Sequence, residues 1–168
     1  MESYAQKNQL SRSEISETFV KVLSETYMLK KFMLSQLPEM TYKSQQPRLK
    51  MMIVDLGCSL TTEMLRMEIA MKQLKVTYLL NDSVVAEGLN VKTYLLHDIT
   101  SVSLYNDAKL LHHLMLILGI EANSFRLLTV LSKQLYPRSV HKLMKMNLED
   151  ATRSERKLLT TYNTYLKI

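Results

Sequence analysis

Apolar residues recur every three or four positions along most of the chain, and the longest such run lies in its first half. The run is spaced almost as a heptad repeat and comprises Leu49, Ile53, Leu56, Leu60, Met64, Met67, Met71, Leu74 and Tyr78. This spacing predicts one helix over residues 47–80, because one face of a helix repeats every 3.6 residues. Pro47 suits its first turn, where a missing N–H has no partner to lose. Gly57 leaves an alternative open, a break with residues 51–55 as a short strand.

An earlier helix is predicted from a start signal and a stop signal. Ser11 and Glu14 form an S-x-x-E capping box, which predicts that the helix begins near Arg12. Apolar positions continue to Leu37, and Pro38 is expected to end the helix because proline disfavours the helical conformation of the residue before it. Residues 38–46 are then a polar link.

The second half is predicted to contain shorter helices, divided by Gly, Pro and capping residues. We expect one or two short helical pieces in 83–102, a helix from Asn106-Asp107 to Gly119, another from Asn123-Ser124 to the residue before Pro137, a short helix over 138–147, and a last one from Ser154. The predicted fold class is an all-α, compact, single-domain helical bundle. Its long central helix packs on the first helix and on the 106–135 segments. Residues 1–10 are expected to be a short flexible N-terminus and 11–168 the single domain.

Composition agrees with this fold class and excludes several others. The chain has 168 residues, 46% of them hydrophobic, with only 3 Gly and 3 Pro, too few for the many turns of a sandwich or barrel. The single cysteine excludes a disulfide framework and a multi-cysteine zinc site. No run of about 18 apolar residues is present, and the polar N-terminus is unlike a signal peptide, so a cytosolic or nuclear location is expected.

Positive charge is concentrated at the C-terminal end. The net charge is +6, and residues 121–168 carry 9 basic and 4 acidic side chains, whereas residues 1–120 carry 13 and 12. A field of this kind attracts anionic partners such as RNA or an acidic protein surface.

No pattern of residues points to catalysis, a cofactor or a metal. His112 and His113 are adjacent, so on a helix they diverge by about 100° and cannot share a metal ion. Cys58 is expected to be a small buried residue rather than a reactive thiol. Glu63 and Glu68 diverge around their helix and form no carboxylate pair unless another helix contributes. The methionines of residues 51–71 are interpreted as core filling, with an adaptable binding groove as the alternative.

Three segments resemble the C accessory proteins of morbilliviruses and their paramyxovirus relatives, the measles and distemper group. They are Ile99-Thr100-Ser101-Val102 followed by Asp107-Ala108-Lys109-Leu110-Leu111; Leu131-Ser132-Lys133-Gln134-Leu135-Tyr136-Pro137-Arg138 leading to Leu143; and Ala70-Met71-Lys72-Gln73-Leu74-Lys75. The resemblance implies a non-enzymatic viral accessory protein that binds the viral polymerase complex, regulates viral RNA synthesis and counteracts interferon induction. It implies as partners the polymerase large subunit or phosphoprotein and host innate-immune proteins. The implied location is the host cytoplasm, or the nucleus without a clear import signal.

The charge pattern and the resemblance together give a partner-binding hypothesis. Pro137 is expected to form a rigid corner, and its neighbours would present an apolar anchor within a basic patch: Lys133, Tyr136, Pro137, Arg138, Lys142 and Lys145. The alternative function is a basic helical RNA-binding or DNA-binding transcriptional regulator, with weak RNA contact also compatible with the charge. Membrane contact is not expected. The near-heptad seam of 47–80 can serve one chain or two, so a homodimer is compatible with it.

Overall fold

A computed structural model describes residues 10–77, 91–135 and 137–166. The helices are α1 (Arg12–Lys43), α2 (Pro47–Leu74), α3 (Val91–Leu96), α4 (Leu104–Ser132) and α5 (Ser139–Leu166), and the described residues contain no strand. The predicted all-α class and helical bundle are confirmed. The predicted flexible residues 1–10 lie, except for Leu10, outside the described part.

The first helix begins as predicted but is longer. Ser11 accepts from the Glu14 backbone N–H, and the Glu14 carboxylate accepts from the Ser11 N–H, which completes the capping box. The predicted stop at Pro38 is wrong, since α1 continues through it to Lys43. Pro38 is exposed, while Leu37 and Met40 on either side are buried. Burial of the continuing apolar stripe therefore outweighs the loss of one helical hydrogen bond.

The second helix begins at Pro47 as predicted and is unbroken at Gly57, so the strand alternative is wrong. A Cβ at Gly57 would lie 3.2 Å from Leu37 Cδ1, so the glycine permits close packing of α1 and α2. The helix ends at Leu74 rather than near residue 80, with Lys75 in a left-handed conformation at φ 55°. The last predicted seam position, Tyr78, lies outside the described residues. Since most of the seam is buried within the chain, it is not available for a homodimer.

Two predicted breaks in the second half are absent. One helix, α4, covers the segments that were expected to separate at Gly119, and one helix, α5, covers the predicted break at Ser154. The cap of α4 is Ser103, whose hydroxyl accepts from the Asn106 N–H. Among the predicted pieces of 83–102, α3 is described and residues 83–90 are not.

The four long helices form two antiparallel pairs joined by a long connection. Backbone N–H groups of Gln45 and Gln46 donate to the Asp107 carboxylate, so α4 begins at the end of the bundle where α1 turns into α2. The Ser139 hydroxyl donates to Gln73, so α5 begins at the opposite end. Leu74 and Leu104 therefore lie at opposite ends of the bundle, so the chain has to cross its length between the two hairpins. Each long helix packs mainly on two others, and α2 lies beside α1 and α5 rather than beside α4 as predicted.

One of the described helices, α4, is long and apolar enough by composition to cross a membrane, a property it shares with core helices of soluble proteins. Its inward side contributes Leu110, Leu114, Leu118, Phe125 and Leu128 to the core. The core consists of two hydrophobic clusters, one toward each end of the bundle.

Candidate binding cleft and the buried charge cluster

Three charged side chains lie buried between the two hydrophobic clusters. The Lys30 ammonium of α1 donates to Glu63 Oε2 of α2 and to Glu121 Oε1 of α4. All three side chains are at most 1% exposed. The ammonium also lies 4.9 Å from the centre of the Phe125 ring, a cation–π contact. We call Lys30, Glu63 and Glu121 the charge cluster; it joins three of the four long helices.

Most of the cluster's remaining polar atoms are satisfied. Ser59 Oγ donates to Glu63 Oε1 at 3.0 Å, and the Asn147 amide of α5 donates to the Glu63 carbonyl at 3.1 Å. Arg66 in turn donates to the Asn147 side-chain oxygen at 3.2 Å. Within the described part of the chain, Glu121 Oε2 is buried without a hydrogen-bond partner.

Burial decides the protonation of the cluster. Removal from water raises the pKa of Glu63 to about 8; the Lys30 charge opposes this shift and the Glu121 charge adds to it. Burial therefore favours the protonated, neutral form of Glu63. A neutral Glu63 removes one buried charge from the cluster, which lowers its cost in an apolar core.

Metal centres in four-helix bundles are built from carboxylates and histidines that project into the bundle core, as Glu63 and Glu121 do here. The residues present here do not fit such a centre. The Lys30 ammonium occupies the space between the two carboxylates, and the described ranges contain no group of three or more His, Cys, Asp or Glu side chains that could hold a metal ion.

A cleft between α2 and α5 reaches toward the charge cluster. Its volume is about 170 Å³. Its floor is apolar and its rim polar, with Met52, Ile53, Leu56, Leu114 and Leu158 below and Asp55, Ser59, Arg153, Ser154 and Lys157 above. Ser59 belongs to both features, since it lines the cleft and donates to the buried Glu63.

Cationic groups surround the mouth of the cleft. Lys157 Nζ bridges to Asp55 at 2.6 Å in an exposed position, and the exposed Arg153 pairs with the half-buried Asp150 at 3.0 Å. An adjoining depression of about 320 Å³ continues along the same two helices to Arg48 and Thr161. The two hollows share Met52, Asp55 and Lys157, so they form one groove that has three cations and one anion at its rim.

The residues of the predicted basic patch lie at the opposite end of α5. Lys133 follows α4, Pro137 and Arg138 lie in the turn that precedes α5, and Lys142 and Lys145 are exposed along its first turns. Tyr136, the expected anchor, lies outside the described residues. The partner-binding role of these residues stays a prediction.

Two expectations about single residues need correction. Cys58 is exposed rather than buried, because it lies two positions from both Leu56 and Leu60 and so faces away from the core. The methionines of residues 51–71 do not all fill the core as expected. Met52, Met67 and Met71 are buried, whereas Met51 is exposed.

The charge cluster was missed, although a signal for it exists. The buried stripe of α1 is spaced 4-3-4-3-4-3 and reads Phe19, Leu23, Thr26, Lys30, Met33, Leu37, Met40. Lys30 thus interrupts an apolar seam, as Glu63 does in α2 and Glu121 in α4. The predicted α2 seam passes through Met64, which is half-buried, whereas the adjacent Glu63 faces the core.

No family model and no curated protein matches the sequence. A search of solved structures finds the E. coli stress protein YciF, with a TM-score of 0.82 at 21% sequence identity, over 90% of this chain and 96% of that one. At this identity the likeness shows a shared helical-bundle fold.

The resemblance to paramyxovirus C proteins is therefore wrong. The matching structure is that of a bacterial protein. Neither it nor any curated protein supports a viral accessory function, a viral polymerase partner or a host immune partner. Two of the three segments that suggested the resemblance lie at the ends of α2 and α4, and the other leads into α4. Alternating apolar and basic residues at helix ends recur in any amphipathic bundle. The cytoplasmic location stays a prediction.

Proposed function

We propose that this chain is a non-catalytic binding protein that takes a small amphipathic anion, such as a medium-chain carboxylate, into the groove between α2 and α5. The observation that carries the proposal is the apolar floor that opens beneath a cationic rim, with Leu56 and Leu158 below and Arg153 and Lys157 above. Binding sites for small molecules combine these two features, since the apolar wall supplies affinity and a few polar groups fix orientation.

The size of the groove limits the ligand. At roughly 30 Å³ per water-sized group, 170 Å³ holds about six non-hydrogen atoms, and the adjoining depression holds more. An eight-carbon chain therefore fits along α2 and α5, with its carboxylate near Lys157 or Arg48.

A binding role accounts for the chemistry better than a catalytic one. Ser59 is a hydroxyl beside a carboxyl group, but Glu63 holds its proton at neutral pH and is a poor base for it. Lys30 is engaged by both carboxylates and does not line the groove.

Calorimetric titration with octanoate and with its neutral counterpart, octanol, tests the proposal. We expect submillimolar octanoate binding, weakened about tenfold by Arg153→Gln with Lys157→Gln, because two rim cations are lost. Octanol binding should be equal in the two proteins. The matched control is Lys142→Gln with Lys145→Gln, which removes the same charge from α5 outside the groove. Equal octanoate affinity in all three proteins would overturn the proposal.

A further inference from the structure

One ion pair crosses the groove between α2 and α5. The Asp55 carboxylate of α2 accepts from the Lys157 ammonium of α5 at 2.6 Å. Both residues line the inner hollow and the adjoining depression, and they belong to opposite walls of the groove. Their bond therefore spans the groove where the two hollows meet. We call Asp55 and Lys157 the rim bridge.

The anion of the rim bridge differs from the carboxylate that pairs with another rim cation. Arg153 binds Asp150, which Arg66 of α2 also binds at 2.5 Å, so the Asp150 carboxylate ties α2 to α5. Asp150 lines neither hollow. Among the described residues, Asp55 is the one carboxylate that lines the groove. Asp55 is therefore the groove residue that opposes an anionic ligand.

The rim bridge is exposed, so its carboxylate can be exchanged for another. Lys157 is 55% exposed and Asp55 62%. An ion pair in such a position contributes little to stability, because water solvates both charges when they separate. Since both side chains extend into water from regular helices, the pair can open by side-chain rotation. A ligand anion can then take the place of the Asp55 carboxylate at the ammonium.

We propose that Asp55 is an internal competitor for the ligand head group and sets how strongly the groove prefers anionic to neutral ligands. This inference rests on the proposed function. The Asp55 side chain ends in the same chemical group as a medium-chain carboxylate, so the two compete for the Lys157 ammonium. A neutral ligand such as octanol does not need this cation, and its binding is independent of the rim bridge. The groove therefore prefers anions less than its three cations alone would make it.

Calorimetric titration of Asp55→Asn with octanoate and octanol tests the proposal. We expect the octanoate affinity to rise about threefold, the scale of one exposed ion pair, and the octanol affinity to stay the same. Asp55→Glu keeps a carboxylate within reach of Lys157 and should bind octanoate as the unmodified chain does. The matched control is Glu149→Gln, which removes one exposed negative charge from α5 outside the groove and should change neither affinity. An equal gain for octanol would overturn the proposal, because the gain would not depend on the charge of the ligand.

A second background separates competition from simple repulsion. With Lys157→Gln there is no ammonium to compete for, so Asp55→Asn should raise the octanoate affinity much less than threefold. An equal gain in both backgrounds would indicate repulsion between Asp55 and the ligand, and it would overturn the proposal. An octanoate affinity unchanged by Asp55→Asn would overturn it too, while leaving the proposed function in place. If the unmodified chain binds no octanoate, the proposed function fails and this inference fails with it.

Discussion

The bundle buries carboxylates in two places, its centre and one end, and satisfies them differently. At the centre, Glu63 and Glu121 share one ammonium, and burial leaves a proton on Glu63. At the end, Asp107 accepts from the backbone N–H groups of Gln45 and Gln46 at 2.8 and 2.9 Å, and from the Tyr165 hydroxyl at 3.3 Å.

The difference shows what a buried carboxylate requires. Asp107 belongs to α4, but its carboxylate lies beside the start of α2. Free N–H groups and the helix dipole favour an anion at that position. The centre of a bundle offers no free backbone donors, so its carboxylates depend on side chains from other helices. Both sites depend on the assembly of separate helices, but two of the donors at the end site are backbone N–H groups of one turn, whereas the donors at the central site are side chains of α1 and α2.

Removing the central cation should have the largest effect. Lys30→Met leaves two carboxyl groups without their shared donor, and we expect a loss of about 3–5 kcal/mol in the free energy of unfolding. Urea denaturation measures it, with Lys31→Met, the exposed neighbour, as control. Adding Glu63→Gln and Glu121→Gln should restore part of the loss. An unchanged midpoint for Lys30→Met would show that the central site contributes no more than a surface pair.

The central site should also make stability depend on pH. The pKa of Glu63 is about 8 in the folded chain and 4.5 for the free group, so the folded state binds the extra proton between these values. The free energy of unfolding should therefore fall as pH rises from 5 to 8, by about 2–4 kcal/mol. Glu63→Gln should flatten this slope, and the exposed Glu149→Gln should not. The same slope in Glu63→Gln would assign the titration to another group.

At the end site a smaller loss is expected. Asp107→Asn keeps one acceptor oxygen but loses the charge beside the start of α2, which should cost about 1–2 kcal/mol. Thermal unfolding compares it with Asp98→Asn, an exposed aspartate with φ 57°, a conformation that asparagine also tolerates. If the two variants melt together, Asp107 does not cap α2.

Removing the Tyr165 hydroxyl at the end site should have the smallest effect on the free energy of unfolding. Tyr165→Phe removes a long hydrogen bond from a half-buried ring, so we expect a loss of about 0.5 kcal/mol. Burial and the negative charge of Asp107 raise the pKa of Tyr165 above its ordinary value of 10. Burial and Glu68 also raise the pKa of Tyr27, to about 12. Absorbance at 295 nm should therefore show a late component to which both tyrosines contribute, and Tyr165→Phe should remove only the part due to Tyr165.

The fold class and the start of each of the first two helices follow from local patterns in the sequence. Capping at Ser11 and the position of Pro47 are local signals, and the structure confirms them. The predicted helix boundaries at Pro38, Gly119 and Ser154 are wrong. Each of these residues disfavours a helix, but burial of the apolar stripe that continues on both sides outweighs that effect.

The candidate site was less accessible to sequence reasoning. A charged residue in an apolar seam predicts a buried partner, but it does not say which helix supplies that partner. Glu63 meets Lys30 from the preceding helix and Glu121 from the other hairpin, so the pairing depends on the order in which four helices pack. The groove likewise joins Leu56 of α2 to Leu158 of α5, residues that no local pattern relates.

The charge cluster has a consequence for the order of folding events. Its contacts span 33 residues within the first hairpin and 91 residues between the hairpins. Because local contacts tend to form before distant ones, we expect the contact of Lys30 with Glu121, and with it the full burial of the ammonium, to form only when the two hairpins dock. We expect the three charged groups to lose their remaining water only at this docking step, after the rate-limiting barrier. We therefore expect Lys30→Met to accelerate unfolding while leaving the folding rate nearly unchanged, which makes the cluster a determinant of how long the native state persists.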